Sequence, residues 1–294
     1  MNAARRLRPL AVAVVLSLAP AAACSSGPDR PAPFDRRIQI GFKSAMPGMS
    51  DQLSNGIFRG FEPRLVERVL GDAGVQYTSV LLAATTWEDA LDDGNTNHNG
   101  VDLVVADISN TDERKGRFDL VGPYLKTRLG ALMPAAHPTV VRRQEDLTPL
   151  RVCTVANTTA RSLIEKEVKP RVPVDGQSHQ QCLERLDDGS ADVFVSDYLV
   201  MRGIALNLRT AEGKPRYAVA EGKFGKEQSL VAALPKGHGE ACRWLRGRIG
   251  AYLNSQAWVD ELRSSFSFGP DDTDANLRGE FQPVTSTADG LCDA

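Results

Sequence analysis

Three polar runs in this sequence stand just beyond apolar stretches, and their residue types decide which chemistry is available. "VDLVVADISNTDER" delivers Ser109, Thr111 and Arg114. "VCTVANTTA" delivers Asn157, Thr158 and Thr159, and "ADVFVSD" ends on Asp197. Hydroxyls and free N–H groups at a helix start favour an anion, through unpaired donors and the helix dipole. An arginine beside them grips a carboxylate with two parallel hydrogen bonds. An acid beyond a buried strand pairs with an ammonium group, so the set can read both ends of an α-amino acid. Each part also has a plainer reading, with Thr111 and Thr158 as helix caps and Asp197 capping the helix after it.

Other chemistries find little footing. The four histidines, His98, His137, His179 and His238, form no HxxxH or HExxH pair. "DDGNTNHNGVD" imitates a calcium loop through Asp93, Asn95 and Asn97, but His98 stands where the turn needs Gly and Val104 where the bidentate Glu belongs. It reads as a solvated turn, and no metal or cofactor is expected. GxSxG, SxxK and Walker motifs are absent, which leaves catalysis without a signature.

The elements that position these residues alternate. "RIQIGFK" is a β-rich run followed by the loop "SAMPGMSDQLSNG". In "GFEPRLVERVLGDAG" Leu65, Val66, Val69 and Leu70 share a helical face, and Gly71 and Gly74 offer a stop. "VQYTSVLL" reads as a strand, "TTWEDALDDG" as a helix capped by Thr85 or Thr86, and "VDLVVADI" as a strand buried on both faces. A second series runs from "RVCTVANTTARSLIEKEV" through "QQCLERLDDGSADVFVSDYLVMRGIA" to the returning strand "EQSLVAALPKG". The helical stretch "ACRWLRGRIGAYLNSQAWVDELRSSF" follows, with Trp258, Leu262 and Phe266 four apart, and then an apolar-poor tail expected along the surface. Two α/β lobes are expected, with a ligand site outside the carboxyl ends of strands.

The N-terminus is set apart. Arg5, Arg6 and Arg8 precede "LAVAVVLSLAPAAA", a run short for a membrane span but right for an export signal. Ending on "AAACSSG", it resembles a bacterial lipoprotein signal in which Cys24 becomes the lipidated first residue, although Ala21 stands where such signals usually carry Leu. "SSGPDRPAP" then reads as a tether. Removing residues 1–23 removes three arginines and no acids, so the formal net charge goes from -2 to -5. No basic block remains to suggest nucleic acid. Cys153, Cys182, Cys242 and Cys292 form an even set suited to an oxidising compartment. Of the three possible pairings, Cys153 with Cys182 and Cys242 with Cys292 keeps each bridge local.

Five segments, "GFEPRLVERVLGDAG", "VDLVVADISNTDERKGRFDLVGPYL", "VCTVANTTARSLI", "LDDGSADVFVSDYLVMRGIA" and "SLVAALPKG", resemble in order and spacing the polar amino-acid-binding proteins of ABC importers. These are the family 3 extracellular solute-binding proteins, and the similarity is nearest to actinobacterial glutamate/glutamine-binding lipoproteins. "SNTDER…FDLVGPY" is similar to the family's S-x-T-x-E-R…(D/F)-F-S-x-P-Y segment, and "DGSADVFVSD" to its G-x-x-D-A-V-x-x-D. The resemblance implies a type 2 periplasmic-binding fold, two α/β lobes joined by a two-strand hinge with the ligand cleft between them. The expected division is signal peptide 1–23, tether 24–35, first lobe 36–130 completed by 228–268, second lobe 131–227 and tail 269–294.

Carried over, the resemblance implies that Arg114 binds a ligand α-carboxylate with help from Ser109 and Thr158, and that Asp197 takes the α-ammonium. Lys43 and Met46 match the loop that packs on the ligand side chain, and His179 lies where some acidic-amino-acid binders make a side-chain contact. Thr111, Asn157 and Asp107 complete the candidate set. The family usually has Gly at the positions of Asp107 and Asn157, where backbone comes close to ligand. An acid at 107 facing the cleft repels a second carboxylate. The usual loop aromatic is also missing, with Met46 and Pro47 in its region.

The function so implied is a monomeric, lipid-anchored extracytoplasmic receptor that captures glutamate, glutamine or aspartate for an ABC permease. A sensor or signalling module with an altered pocket is the alternative, and an enzyme such as a dehydratase or cell-wall lyase stands third, without a motif.

Overall fold

The computed structural model describes residues 30–83, 85, 87–91, 100–170, 172–284 and 291–292. Cys24, the signal-like run and the calcium-like positions 93–98 lie outside them. The chain begins with β1 (Ile38–Phe42), makes a small hairpin of β2 (Asp51–Gln52) and β3 (Phe58–Arg59), and enters α1 (Phe61–Val69). Next come β4 (Tyr77–Leu81), β5 (Leu103–Ser109), the short α2 (Asp112–Arg117) and the 17-residue β6 (Phe118–Pro134). The second series holds β7 (Arg151–Val155), α3 (Thr159–Leu163), β8 (Val172–Gly176), α4 (His179–Asp187), β9 (Val193–Asp197), α5 (Tyr198–Asn207) and β10 (Tyr217–Val219). β11 (Phe224–Pro235) returns, followed by α6 (Gly239–Leu253), α7 (Gln256–Phe266) and α8 (Asp274–Phe281).

The main sheet runs β4-β1-β5-β11-β6-β9-β7-β8, with β10 also paired to β6. β4, β1 and β5 are mutually parallel at one end, and β9, β7 and β8 at the other. Between them β6 and β11 run antiparallel, Phe118 opposite Pro235 and Leu129 opposite Phe224. From Leu129 to Leu132, β6 also pairs with β9. One long strand therefore serves both halves, and β6 with β11 forms the two-strand connection expected of the type 2 periplasmic-binding fold.

Burial explains why the elements form. Only Asp107 along β5 is not buried, as fits a central strand, parallel to β1 and antiparallel to β11, that is covered on both faces. Phe61, Leu65, Val66 and Val69 of α1 point into the core. Disulfides join Cys153 of β7 to Cys182 of α4, and Cys242 of α6 to Cys292 in the tail.

Two local expectations need correction, and a third is refined. Trp87–Leu91 makes turns rather than a helix, closed by Leu91 N–H on Glu88 C=O (3.0 Å). So short a segment gains too few ladder bonds to repay helix nucleation. The closing helical stretch is two helices, because Ser255 Oγ donates to Tyr252 C=O (2.7 Å) and turns the chain between α6 and α7. The tail is not merely superficial, since Leu277 and Phe281 of α8 are each 2% exposed. Phe281 stacks on Tyr198 at 6.4 Å and lies 5.3 Å from Phe268.

Candidate functional site

The site begins where β5 ends. Asp107 has φ 53° and Asn157 has φ 57°. Both lie in the left-handed region that Gly enters freely and that Asn and Asp tolerate best among the other residues. The two positions where the family usually carries Gly thus keep a Gly-like backbone here, with a polar side chain added. Asp107 N–H donates to Glu62 Oε1 (2.6 Å), and its carboxyl hydrogen-bonds that of Asp197 from the other half of the sheet.

Arg114 is placed by α2. Thr111 caps that helix, its hydroxyl accepting from Arg114 N–H (3.3 Å). The guanidinium donates through Nη1 to Ser109 C=O (3.0 Å) and through Nε to Glu88 (3.4 Å). It also lies 5.1 Å from the centre of the Trp87 ring. Residue and ring are buried, Arg114 at 9% exposure. Held on one edge, the group keeps its remaining donors for an anion.

The second half meets it across a short polar clasp. Ser109 Oγ donates to Gln228 Oε1 (2.7 Å) and lies 3.2 Å from Thr159 Oγ1, which donates to the same oxygen (2.7 Å). Asn157 Nδ2 donates to Thr85 C=O (3.1 Å). Thr158 caps α3 by accepting from Arg161 N–H (3.2 Å) and donates to Val155 C=O (2.7 Å). The capping reading therefore holds for the hydroxyls of Thr111 and Thr158. Asp197 precedes α5 but makes no side-chain cap, so its carboxyl is spent elsewhere. Arg114, Thr111, Asn157, Thr158 and Thr159 share a cavity of about 680 Å³.

Behind the clasp lies an ionisable cluster of buried Lys43, Glu62, Tyr124, His179 and Asp197 with half-buried Asp107. Burial, then the Asp107 carboxylate, pushes Glu62 up to about 8. Burial first and Asp107 second raise Asp197 well above the carboxylate range. Asp107 is raised by burial, with Lys43 opposing. Two hydrogen-bonded carboxyls in such a place share one proton, which we assign to Asp197. Burial lowers Lys43, and burial with the nearby Lys43 charge lowers His179 to about 3, leaving its imidazole neutral. Both His179 ring nitrogens, Asp107 Oδ1, Asp197 Oδ1 and Glu62 Oε2 are buried without a partner among the described residues.

The structure therefore gathers Ser109, Arg114, Thr158 and Asn157 around the clasp, and Lys43, Asp107, His179 and Asp197 behind it. Met46 is different: fully buried, it belongs to the main hydrophobic core. Sequence reasoning missed Glu62, Trp87, Glu88, Tyr124 and Gln228. Glu62 was findable, because with Leu65, Val66 and Val69 it falls on the apolar stripe of α1, where a carboxylate needs a reason. Gln228 gave no comparable signal, since its partners are more than sixty residues away in sequence.

Two α/β halves around a two-strand connection, with polar groups from both meeting at strand ends, define a two-lobed ligand-binding protein. The sequence profile of the bacterial extracellular solute-binding proteins, family 3, matches residues 38–202, and the chain belongs to that family. The family is one of binding proteins and not of enzymes. The L-cystine-binding protein TcyJ of Escherichia coli (strain K12) is 23% identical over 239 residues, 80% of this chain and 84% of its own. The L-arginine-bound ABC transporter substrate-binding protein AbpA from Streptococcus pneumoniae Canada MDR_19A superposes with a TM-score of 0.69 at 16% identity, covering 79% of this chain and 95% of its own. The solute receptor for L-cysteine of Neisseria gonorrhoeae gives 0.66 at 22% identity, covering 80% and 94%. Among the described residues no helix is long and apolar enough to cross a membrane.

Proposed function

We propose that this chain is an extracytoplasmic, lipid-anchored receptor that closes on a polar α-amino acid and delivers it to an ABC permease. The observation that carries the reading is the clasp: buried Arg114 from one half and the start of α3 from the other line a single cavity. Arg114 takes the α-carboxylate, with Ser109 and the backbone of Thr158 alongside, and Asp197 takes the α-ammonium. Residues 36–130 with 228–268 act as one lobe and 131–227 as the other, hinged at β6 and β11. Closure is favoured by whatever ligand contacts both lobes at once.

Charge balance narrows the ligand. With a ligand ammonium in place and Asp197 ionised, Lys43 and Arg114 oppose Asp107 and Asp197, Arg117 offsets Glu88, and Glu62 and His179 are neutral. The proton shared by the two aspartates is replaced when a ligand ammonium arrives. A zwitterion with a neutral polar side chain keeps the balance, whereas a side-chain carboxylate has Asp107 as a neighbour. Glutamine is therefore favoured over glutamate and aspartate, and the glutamine, cystine and cysteine class should be tried first. Calorimetry of the protein against the twenty amino acids and cystine tests this. Millimolar-range binding of none of them would end the reading, and tight glutamate binding with no glutamine binding would end the charge argument.

A further inference from the structure

Away from the cleft, the outward face of α6 carries charge that the fold does not use. Arg243 and Arg246 line a groove of about 400 Å³ with Pro123, Ile249, Leu253 and Pro283. Neither guanidinium has a hydrogen bond, ion pair or ring contact among the described residues. Across Gly247 a second groove of about 520 Å³ holds Arg68 and Arg248, with Asp72 as its acid. Those two are engaged, Arg68 with Glu261 (2.8 Å) and Arg248 with Val69 C=O and the Trp244 ring. A Cβ on Gly247 or Gly250 would meet nothing within 4 Å among the described residues, so their packing does not require glycine at either position. Each glycine weakens a helix relative to alanine. Their presence suits a face that something outside the protein approaches closely.

The N-terminal segment emerges beside that face. Phe34 packs on Trp244 with ring centres 5.0 Å apart, and Arg30 donates to Gly74 C=O (2.6 Å). Cys24 stands six positions before Arg30, a reach of at most about 22 Å even when fully extended. A lipid on Cys24 would therefore hold the α6 face near a bilayer. Without residues 1–23 the chain carries a net charge of -5, so a locally basic face approaches an anionic membrane with less repulsion than the chain as a whole.

We propose that the outer face of α6 docks on anionic phospholipid headgroups, Arg243 and Arg246 meeting the phosphates and the apolar groove covering their less polar edge. The docking sets the orientation of the anchored receptor, keeping α6 toward the membrane. The placement rests on the lipid-anchor reading, but the docking itself needs no lipid on the protein. The test uses the exported chain carrying Cys24→Ser, sedimented with phosphatidylcholine vesicles with and without phosphatidylglycerol at low salt. Binding is expected only with phosphatidylglycerol. An arginine near an anionic surface is worth about a fivefold change in partition, so Arg243→Gln with Arg246→Gln should lower it about 25-fold. Thermal unfolding and amino-acid binding of the variant, which touches neither lobe's cleft, serve as the fold control. No binding to phosphatidylglycerol vesicles, equal binding to both vesicle types, or equal binding by the variant overturns the proposal. The anchor reading fails separately, if the mass of the N-terminal peptide of the unmutated protein shows no lipid on Cys24.

Discussion

Glu62→Gln probes the electrostatics of the cluster most directly. Glu62 is fully buried, with Oε1 accepting from Asp107 N–H (2.6 Å) and Tyr124 O–H (2.5 Å) and Oε2 without a partner among the described residues. Burial and the Asp107 carboxylate raise its pKa from 4.5 to about 8. Between these values the folded protein holds a proton that the unfolded chain has released. The stability contributed by the neutral acid is thus fully present below pH 4.5 and is lost as pH rises towards about 8. Each pH unit in that window costs about 1.4 kcal/mol, so the whole of it costs about 5 kcal/mol. Glutamine keeps the Oε1 acceptor and stays uncharged, so the variant should lose this slope. Urea unfolding of both proteins from about pH 5 to about pH 8 gives the comparison. Wild-type stability should fall relative to the variant by more than 1 kcal/mol per pH unit, to order of magnitude. Parallel profiles would refute the argument that a neutral carboxylic acid is buried beside Asp107.

Arg114→Ala should weaken ligand binding by about 2–5 kcal/mol, because a buried charged clamp loses one partner, and calorimetry on a folded variant reads the loss. Asp107→Gly should relieve a left-handed φ of 53° worth about 1 kcal/mol and lower the Asp197 pKa by removing a like charge. Its readouts are thermal unfolding and a shift of preference from glutamine towards glutamate. Ligand binding by the wild type should release a proton, seen as a binding enthalpy that changes with the ionisation enthalpy of the buffer, and Asp107→Gly should abolish that dependence. Replacing Cys153 and Cys182 together by alanine opens a loop spanning 29 positions and should cost about 3–4 kcal/mol of unfolding free energy in denaturant.

The alternation of strands and helices was legible because each element carries its own pattern. β5 is a continuous apolar run, α1 an apolar stripe, and the returning strand β11 a second apolar run after a polar stretch. Short-range context failed where neighbours decide the outcome. Trp87 and Leu91 look helical by spacing, yet they are buried by β-sheet neighbours and the segment only turns. The tail looks polar, yet Leu277 and Phe281 suffice to seat α8 against Tyr198 and Phe268.

The site divides along the same line. The residue types at and just beyond strand ends, Ser109, Arg114, Thr158 and Asp197, follow from local pattern, and the family from the resemblance of the segments that carry them. Whether Asp107 faces the cleft is a matter of backbone angle and of what lies opposite. Only the folded chain sets its carboxyl against Asp197, some ninety residues away, and puts Glu62 beneath it. The charges of Lys43, Glu62 and His179 are likewise tertiary facts, since desolvation arises only when distant segments exclude water together. A single sequence names the groups that can ionise, and the packing of two lobes decides which of them do.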